Sequence, residues 1–277
     1  MNTPTSARIH VLLAQKSPQA IILRRGPSER VATIGWNRAN DKFSIGQWLK
    51  GRIFSDRCDI SPDGRHWIYF AMGSRSQTWT AVAKTPYLKA LDFYPLGNTW
   101  AGGGLFESNR SYWVCDACSF EKHQRTRHLS GLSVSFQCRC HDEQNSNALN
   151  YAYFIRLVRD GWNPVDDIQS KTPPQLIRFN KRINDYWQLW KLCHYDNSYF
   201  RLPGKAFGYE THMLRNVKNN DEVNLPDAEW AEVEKGRMIW AEKGCIMTGC
   251  VSKDGLQGQA VLLDTNPFTF EEIIAPY

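Results

Sequence analysis

Two stretches of this chain repeat one pattern, a polar turn ending in Gly-Arg followed by an apolar strand that ends in an aromatic residue and Ala. They are Ser61–Ala71 and Val233–Ala241. Glycine suits such a turn because it adopts positive φ without steric cost. A further pair of strands is predicted after each stretch, so the repeated unit is a four-stranded antiparallel sheet. The repeat restricts the chain to an architecture built from similar β units.

Short segments rich in β-branched and aromatic residues run along the chain, separated by turns that contain Gly, Pro and Asp. Few windows show a helical period over about eleven residues, so long helices are not expected. The sequence therefore predicts an all-β fold. The predicted strands are 8–13, 30–34, 66–70, 78–82, 151–156, 175–179, 186–190, 237–241, 245–248 and 259–263.

The spacing of the repeat favours a β-propeller. Once a cysteine-rich insertion at 115–141 is set aside, Gly64 and Gly236 lie three steps of about 48 residues apart, and propeller blades recur at about 40–50 residues. About five four-stranded blades would then fill a single domain over residues 1–277. A two-sheet β-sandwich with long hairpins gives similar local patterns and stays open as the alternative.

The turn Ser61–Gly64 and the strand after it resemble the Asp-Gly hairpins of bacterial propellers of the WD-repeat-like kind. Over most of its length the chain also resembles a family of uncharacterised bacterial proteins. The motifs that carry this resemblance are Gly46–Arg52, Cys58–Gly64, Trp100–Phe106 and Phe270–Tyr277. The resemblance implies a bacterial origin and a domain of this extent, and it implies no activity.

Four cysteines are spaced like metal ligands: Cys115, Cys118, Cys138 and Cys140. A Cys-x-x-Cys turn and a Cys-x-Cys strand each bring two thiolates to one side, and tetrahedral zinc takes four such donors. The spacing predicts a structural zinc site within the insertion, with free thiols in a loop as the alternative. Three histidines, at 123, 128 and 141, lie near enough in sequence to replace one thiolate. Four protein ligands leave no open position for catalysis.

The segment between the two cysteine pairs is basic. Lys122, Arg125 and Arg127 are opposed there by one glutamate, at position 121. A zinc-stapled basic finger can contact phosphates or an acidic protein surface. The three side chains are therefore predicted binding residues, and a solvated hairpin tip is the alternative.

No catalytic residue is predicted. The chain has no HExxH, no Gly-x-Ser-x-Gly and no nucleotide-binding fingerprint. The run Gly102–Gly104 lacks the Gly-Lys-Ser/Thr of a phosphate loop and is interpreted as a bulge or a close approach of strands. His10, His66, His194 and His212 stand alone in strand-like stretches, so no nucleophile can be paired with a base.

Composition limits the location and the partners. No apolar run approaches the roughly 18 residues of a membrane span, and the N-terminal stretch is a poor signal peptide. We therefore expect a cytoplasmic protein without a membrane partner, in which the eight cysteines bind metal or are buried. The formal net charge of +6 is mild and suits an acidic protein or a nucleic acid.

The leading functional hypothesis is a non-enzymatic protein-binding scaffold. Trp162 lies in a loop-like context, and an exposed tryptophan on such a scaffold is a natural binding hot spot. A bacterial immunity protein that neutralises a toxin is the narrower version of this hypothesis. Nucleic-acid binding through the basic insertion is the first alternative, and a propeller hydrolase or lyase is the second.

Overall fold

A computed structural model describes residues 6–26, 29–99, 101–115, 127–137, 151–168, 176–194 and 209–277. Among the described residues up to 137, the regular structure consists of strands and one short 3-10 helix, Ser55–Arg57. These strands are β1 Arg8–Leu13, β2 Gln19–Arg25, β3 Arg30–Asn37, β4 Lys42–Ile53, β5 Asp59–Ile60, β6 His66–Gly73, β7 Thr78–Lys84, β8 Ala90–Leu96, β9 Gly104–Phe106, β10 Ser111–Cys115, β11 Arg127–His128 and β12 Ser133–Gln137.

The later part of the described chain begins with the helix α1, Tyr151–Arg159, and continues as strands. These strands are β13 Asn163–Pro164, β14 Leu176–Arg182, β15 Trp187–His194, β16 Tyr209–Asn216, β17 Glu222–Leu225, β18 Trp230–Glu234, β19 Arg237–Glu242, β20 Cys245–Ser252 and β21 Gly255–Asp264. The prediction of an all-β fold is confirmed. No helix in the described part of the chain has the length and apolar character needed to cross a membrane.

The strands of the described part of the chain form four sheets, in which chain neighbours mostly pair as antiparallel meanders. The first sheet has the order β1-β2-β3-β4-β6-β7-β8-β11, with β5 also paired to β6. The others have the orders β12-β10-β9, β13-β14-β15-β16-β17 and β18-β19-β20-β21. Strand β4 belongs to two meanders, because its residues up to Lys50 pair with β3 whereas Gly51–Ile53 pair with β6.

The repeated four-stranded unit predicted from the Gly-Arg turns is present twice. In the first copy β5 pairs with β6, β6 with β7 and β7 with β8. In the second copy β18 pairs with β19, β19 with β20 and β20 with β21. Gly64 and Gly236 occupy the two turns with φ of 74° and 79°, as the hairpins require.

The chain divides into two compact units. One unit contains His10–Arg156 and Phe268–Tyr277, and it holds β2 to β12. The other contains Ser6–Ile9 and Leu157–Pro267, and it holds β13 to β21. We call them unit 1 and unit 2.

The core of unit 1 covers both faces of the β6–β7 hairpin. On one face Trp67 and Tyr69 are buried in a cluster that also contains Ala81. On the other face Ile68 and Val82 belong to a second buried cluster. Since successive side chains of a strand point to opposite faces, both strands have apolar residues in consecutive positions.

One predicted strand, 151–156, is wrong, because this segment is the first part of α1. Tyr153, Arg156 and Leu157 are buried while Val158 is exposed, which is the spacing of a helix face. Arg156 looks like a polar position in the sequence, yet its guanidinium donates to the carbonyl groups of Ser55 and Cys58. The aromatic and β-branched residues that favoured a strand therefore belong to a helix.

The predicted insertion at 115–141 is only partly separate from the sheets. Residues 127–128 form β11, which pairs with β8, and residues 133–137 form β12, which pairs in parallel with β10. Residues 116–126 and 138–150 lie outside the described residues. The middle of the predicted insertion is therefore part of two sheets of unit 1.

A buried carboxylate, Asp92 on β8, anchors the chain just after β11. Its Oδ1 accepts hydrogen bonds from the backbone N–H groups of Leu129 (2.8 Å) and Ser130 (3.0 Å). Its Oδ2 accepts from the hydroxyls of Tyr112 and Ser130, both at 2.5 Å. The imidazole Nδ1 of His128 lies 2.9 Å from Oδ2. Asp92 thus ties β8, β10 and the segment after β11 together.

The run Gly102–Gly104 is a close approach of backbones, in agreement with its interpretation from the sequence. A Cβ atom on Gly104 would lie 1.9 Å from the carbonyl oxygen of Trp113 on the paired strand β10. No side chain fits there without moving β9 away from β10.

We therefore expect Gly104→Ala to lower the free energy of unfolding by about 1–3 kcal/mol, because the added methyl group overpacks a backbone contact. Chemical denaturation followed by tryptophan fluorescence measures the change. The matched control is Gly97→Ala, since Gly97 is exposed and an added Cβ there would have no atom within 4 Å. Equal stability of the two variants would contradict the close approach.

Candidate functional site

A concave site in unit 1 lies where the β3–β4 hairpin, the turn before β6 and the loop after β7 meet. Its volume is about 920 Å³. We call it the basic cleft. Its lining residues are Ser17, Gln19, Gly35, Trp36, Asn37, Lys42, Phe43, Ser44, Asp63, Gly64, Arg65, His66, Lys84, Thr85 and Pro86.

Three positive side chains line the basic cleft. Within the described residues, no carboxylate forms an ion pair with Lys42 or Lys84. The Nε of Arg65 lies 3.7 Å from Oδ2 of Asp63, and its side chain is 82% exposed. The cleft therefore presents net positive charge to solvent.

Local hydrogen bonds hold the turn that carries Arg65. The hydroxyl of Ser61 donates to Oδ1 of Asp63 (2.7 Å), and the same oxygen accepts the N–H of Arg65 (3.1 Å). A Cβ on Gly64 would lie 2.4 Å from Cβ of Gln19, so this turn packs directly against β2. The position of Arg65 at the cleft is therefore set by the Ser-Pro-Asp-Gly sequence itself.

One wall of the cleft is aromatic and contains a histidine. The rings of Trp36 and Phe43 are stacked, with centroids 5.5 Å apart. Burial lowers the pKa of His66; Asp63 opposes this shift, whereas the charge of Lys84 adds to it. His66 is therefore neutral at pH 7, and an anion bound in the cleft would raise its pKa.

Unit 2 contains a buried cluster of charged side chains on β15 and β16. The ammonium Nζ of Lys191 lies 2.6 Å from Oε2 of Glu210 and 3.2 Å from Nε2 of His212. Since Nδ1 of His212 donates to the carbonyl of Ala228 (2.9 Å), Nε2 accepts a hydrogen bond from the ammonium group of Lys191. Burial and the charge of Lys191 lower the pKa of His212 to about 3.

A second set of charges continues this cluster to β14 and β18. Trp162 donates from Nε1 to Oε2 of Glu232 (2.9 Å), and Nζ of Lys181 lies 2.8 Å from the other oxygen of that carboxylate. Nζ of Lys191 lies 5.1 Å from the centroid of the Trp162 ring. The two carboxylates and the two ammonium groups thus compensate one another.

This cluster contains the residue types of an acid–base site, but Lys191 and His212 are not accessible from solvent. The side chains of Lys191 and His212 are 1% and 0% exposed, and their polar atoms already have partners within unit 2. A lysine that is buried and already paired with a glutamate is not presented to a substrate. The hydrolase or lyase alternative stays a prediction with no residue assigned to it.

The structure corrects one predicted binding residue and describes another. Trp162 was predicted to be exposed, but its side chain is 2% exposed because it packs under Lys191 and bonds to Glu232. It presents no surface to a partner. Arg127 is exposed on β11, opposite Phe93 of β8. Lys122 and Arg125 lie outside the described residues, so the basic insertion stays a prediction.

Of the four predicted zinc ligands, Cys115 is described, at the end of β10, and it is half-buried. Cys118, Cys138 and Cys140 lie outside the described residues. The described residues contain no group of three or more His, Cys, Asp or Glu side chains placed to bind a metal. In the parallel pair β10–β12, Cys115 is the register partner of Gln137, the residue before Cys138.

Lys42 and Lys84, the lysines of the basic cleft, are not among the binding residues predicted from the sequence. Lys84 is the register partner of His66 across the β6–β7 hairpin, and both strands were predicted. Aligning the two predicted strands about their turn would have placed these residues together. No local signal connects Lys42 with them, since it is brought there by a different hairpin.

Comparison with known proteins gives weak similarity only. No family model and no curated protein matches the chain. The uncharacterized protein lmo1340 from Listeria monocytogenes EGD-e has a TM-score of 0.32 and 9% identity, over 94% of this chain and 68% of that one. The β-propeller domain of the Trilobed protease from Pyrococcus furiosus has a TM-score of 0.25 and 11% identity, over 88% and 82%. Neither similarity is close enough to assign a closed propeller or a function.

The buried His212 predicts a pH dependence of stability. Its pKa is about 3 in the folded protein and near 6.5 when unfolded, so the unfolded chain binds more protons between these values. The free energy of unfolding should therefore fall as pH drops from about 6 to 4, by about 1 kcal/mol per pH unit from this group.

The measurement is urea denaturation at several pH values, compared between the unmodified chain and His212→Asn. An Asn amide can still donate to the carbonyl of Ala228 but does not titrate. The variant should lose this part of the slope. Parallel pH profiles of the two proteins would show that His212 does not titrate as described.

Proposed function

We propose that this chain is a non-enzymatic binding protein and that its basic cleft holds an acidic segment of a protein partner. The observation that carries the proposal is the arrangement of Lys42, Arg65 and Lys84 around one concave site. Two of these cations have no carboxylate partner within the described residues, and the third is only loosely paired. A protein partner of this charge complements them.

The character of the cleft suits an extended acidic segment. Exposed lysines cost little to keep in water, so their attraction for a partner is not offset by a large desolvation penalty. The half-buried ring of Phe43, stacked on Trp36, adds apolar surface for a side chain of the partner. Neutral His66 offers a hydrogen-bonding group at the same wall.

The narrower role of a bacterial immunity protein that neutralises a toxin belongs to this proposal and requires a toxin with an acidic segment at its contact surface.

The fold prediction of about five propeller blades also stays a proposal. Its support is the four-stranded antiparallel meander, which recurs as β5 to β8, β14 to β17 and β18 to β21.

Charge reversal tests the cleft. We expect Lys42→Glu combined with Lys84→Glu to weaken binding of a fluorescein-labelled ten-glutamate peptide at least about tenfold, equivalent to ~1.4 kcal/mol. Fluorescence anisotropy at low salt measures the affinity, which should also fall as salt rises, because exposed charges are screened.

The matched control is Lys50→Glu, an exposed lysine of unit 1 outside the cleft, which changes the net charge in the same direction. If Lys50→Glu reduces binding as much as the single variant Lys42→Glu, the attraction is general and the cleft is not the site. Tighter binding of a labelled single-stranded oligonucleotide than of the peptide would favour the nucleic-acid alternative.

A structural zinc ion is the second part of the proposal. The parallel pairing of β10 with β12 places Cys115 beside Gln137, so the segments that carry the other three cysteines begin next to each other. Elemental analysis of purified protein should give about one zinc per chain. Cys115→Ser should lower this value, whereas Cys250→Ser, which changes an exposed cysteine of β20, should not. Protein purified without zinc would remove the site.

A further inference from the structure

A second concave surface of unit 1 lies beneath residues 268–277, which we call the C-terminal segment. The surface has a volume of about 580 Å³, and we call it the aromatic groove. Its principal lining residues are Gln47, Trp48, Tyr69, Trp79, Leu88 and Phe93. Phe270 and the three residues after it lie along one side of it.

The C-terminal segment is held by side-chain contacts and not by a sheet ladder. Residues 268–277 belong to no strand or helix. The side chain of Gln47 donates from Nε2 to the carbonyl of Ile273 (2.8 Å). The hydroxyl of Tyr277 donates to the carbonyl of Lys89 (2.6 Å) and accepts the N–H of Lys84 (3.1 Å).

Two aromatic residues anchor the ends of the segment against cations and rings of unit 1. Phe270 lies edge-on to Trp48 with centroids 6.2 Å apart, and the guanidinium carbon of Arg30 is 4.1 Å from its centroid. Tyr277 has Nζ of Lys84 at 4.9 Å and Nζ of Lys89 at 5.2 Å from its centroid. These contacts define an aromatic anchor at each end.

The C-terminal segment does not fill the aromatic groove completely. Phe270 remains 52% exposed, and Ile274 is 86% exposed. The indole N–H of Trp48 is buried and has no hydrogen-bond acceptor within the described residues. A buried donor without an acceptor costs free energy, and the unfilled groove adds to that cost. Another segment that fills the groove better can therefore compete with this one.

We propose that the aromatic groove is a peptide-binding site, occupied in cis by the C-terminal segment and open to an extended segment of a protein partner. The partner segment carries an aromatic residue at each end and acidic residues between them. Glu271 and Glu272 lie between the two anchors in the cis segment, and Arg30, Lys84 and Lys89, which contact the anchor rings, make the surroundings of the groove positively charged. The aromatic groove borders the basic cleft at Lys84 but has its own lining residues, and this proposal goes beyond the proposed function.

The test uses the full chain and a fluorescein-labelled peptide with the sequence of residues 268–277. In the unmodified chain the cis segment is present at a high effective concentration, so the peptide binds weakly. Phe270→Ala with Tyr277→Ala removes both cis anchors and should raise the affinity for the peptide at least tenfold, as measured by anisotropy. Phe270→Ala alone changes a half-exposed side chain and should give an intermediate value.

Gln47→Glu is the matched groove variant. The carboxylate keeps an acceptor for the backbone N–H groups of Leu88 (2.8 Å) and Lys89 (3.0 Å), but it loses the donor to Ile273. Added to the double anchor variant, it should remove most of the gain in affinity. Lys42→Glu, in the basic cleft, should leave the peptide affinity unchanged, so this proposal and the proposed function can fail independently.

Equal peptide affinity of the unmodified and anchor variants would overturn the proposal, as would equal binding of a scrambled peptide of the same composition. Analytical ultracentrifugation of the unmodified chain gives a further check. A dimer that disappears in Tyr277→Ala would identify a second copy of this chain as the occupant and would overturn the assignment to a different partner.

Discussion

The buried carboxylate of Asp92 is the constraint on which the centre of unit 1 depends. A charged group with 0% exposure must keep its hydrogen bonds, since losing a donor leaves an uncompensated buried charge. Its donors come from Tyr112 on β10 and from the backbone at Leu129 and Ser130. Three segments distant in sequence are therefore held at one point.

The buried cluster of unit 2 and the basic cleft of unit 1 use charge in opposite ways, and this contrast supports assigning binding to the cleft. In unit 2, Lys191 and Lys181 are matched by Glu210 and Glu232 beneath the surface, so little field reaches solvent. In the basic cleft of unit 1, by contrast, Lys42 and Lys84 face solvent without a carboxylate partner among the described residues. The lowered pKa of His212 would by itself have drawn attention to unit 2, but the basic cleft combines positive charge with access to solvent.

The strands were the most predictable part of the structure. The predicted strand 8–13 coincides with β1, and the predicted strands at 66–70 and 237–241 lie within β6 and β19. The strand pattern of these segments is visible within a few residues, and the turns beside them contain the glycines that hairpins need. The strand predicted at 151–156 was wrong because aromatic and β-branched residues, which are typical of strands, form one face of a helix there. The prediction that Trp162 is exposed was wrong, because its turn-like sequence context gives no sign of the charged side chains that cover it.

By itself, the sequence determined the class of the fold and the four-stranded unit, because alternation, turn chemistry and repetition are local properties that a chain shows without folding. The cysteine spacing likewise predicts a metal site from neighbouring residues. Only the tertiary structure decided which charges are compensated and which are free to bind. Lys42 and Lys84 come from different hairpins, Lys191 meets His212 across two strands, and the C-terminal segment returns to Gln47. Such contacts depend on long-range packing, which no local pattern specifies.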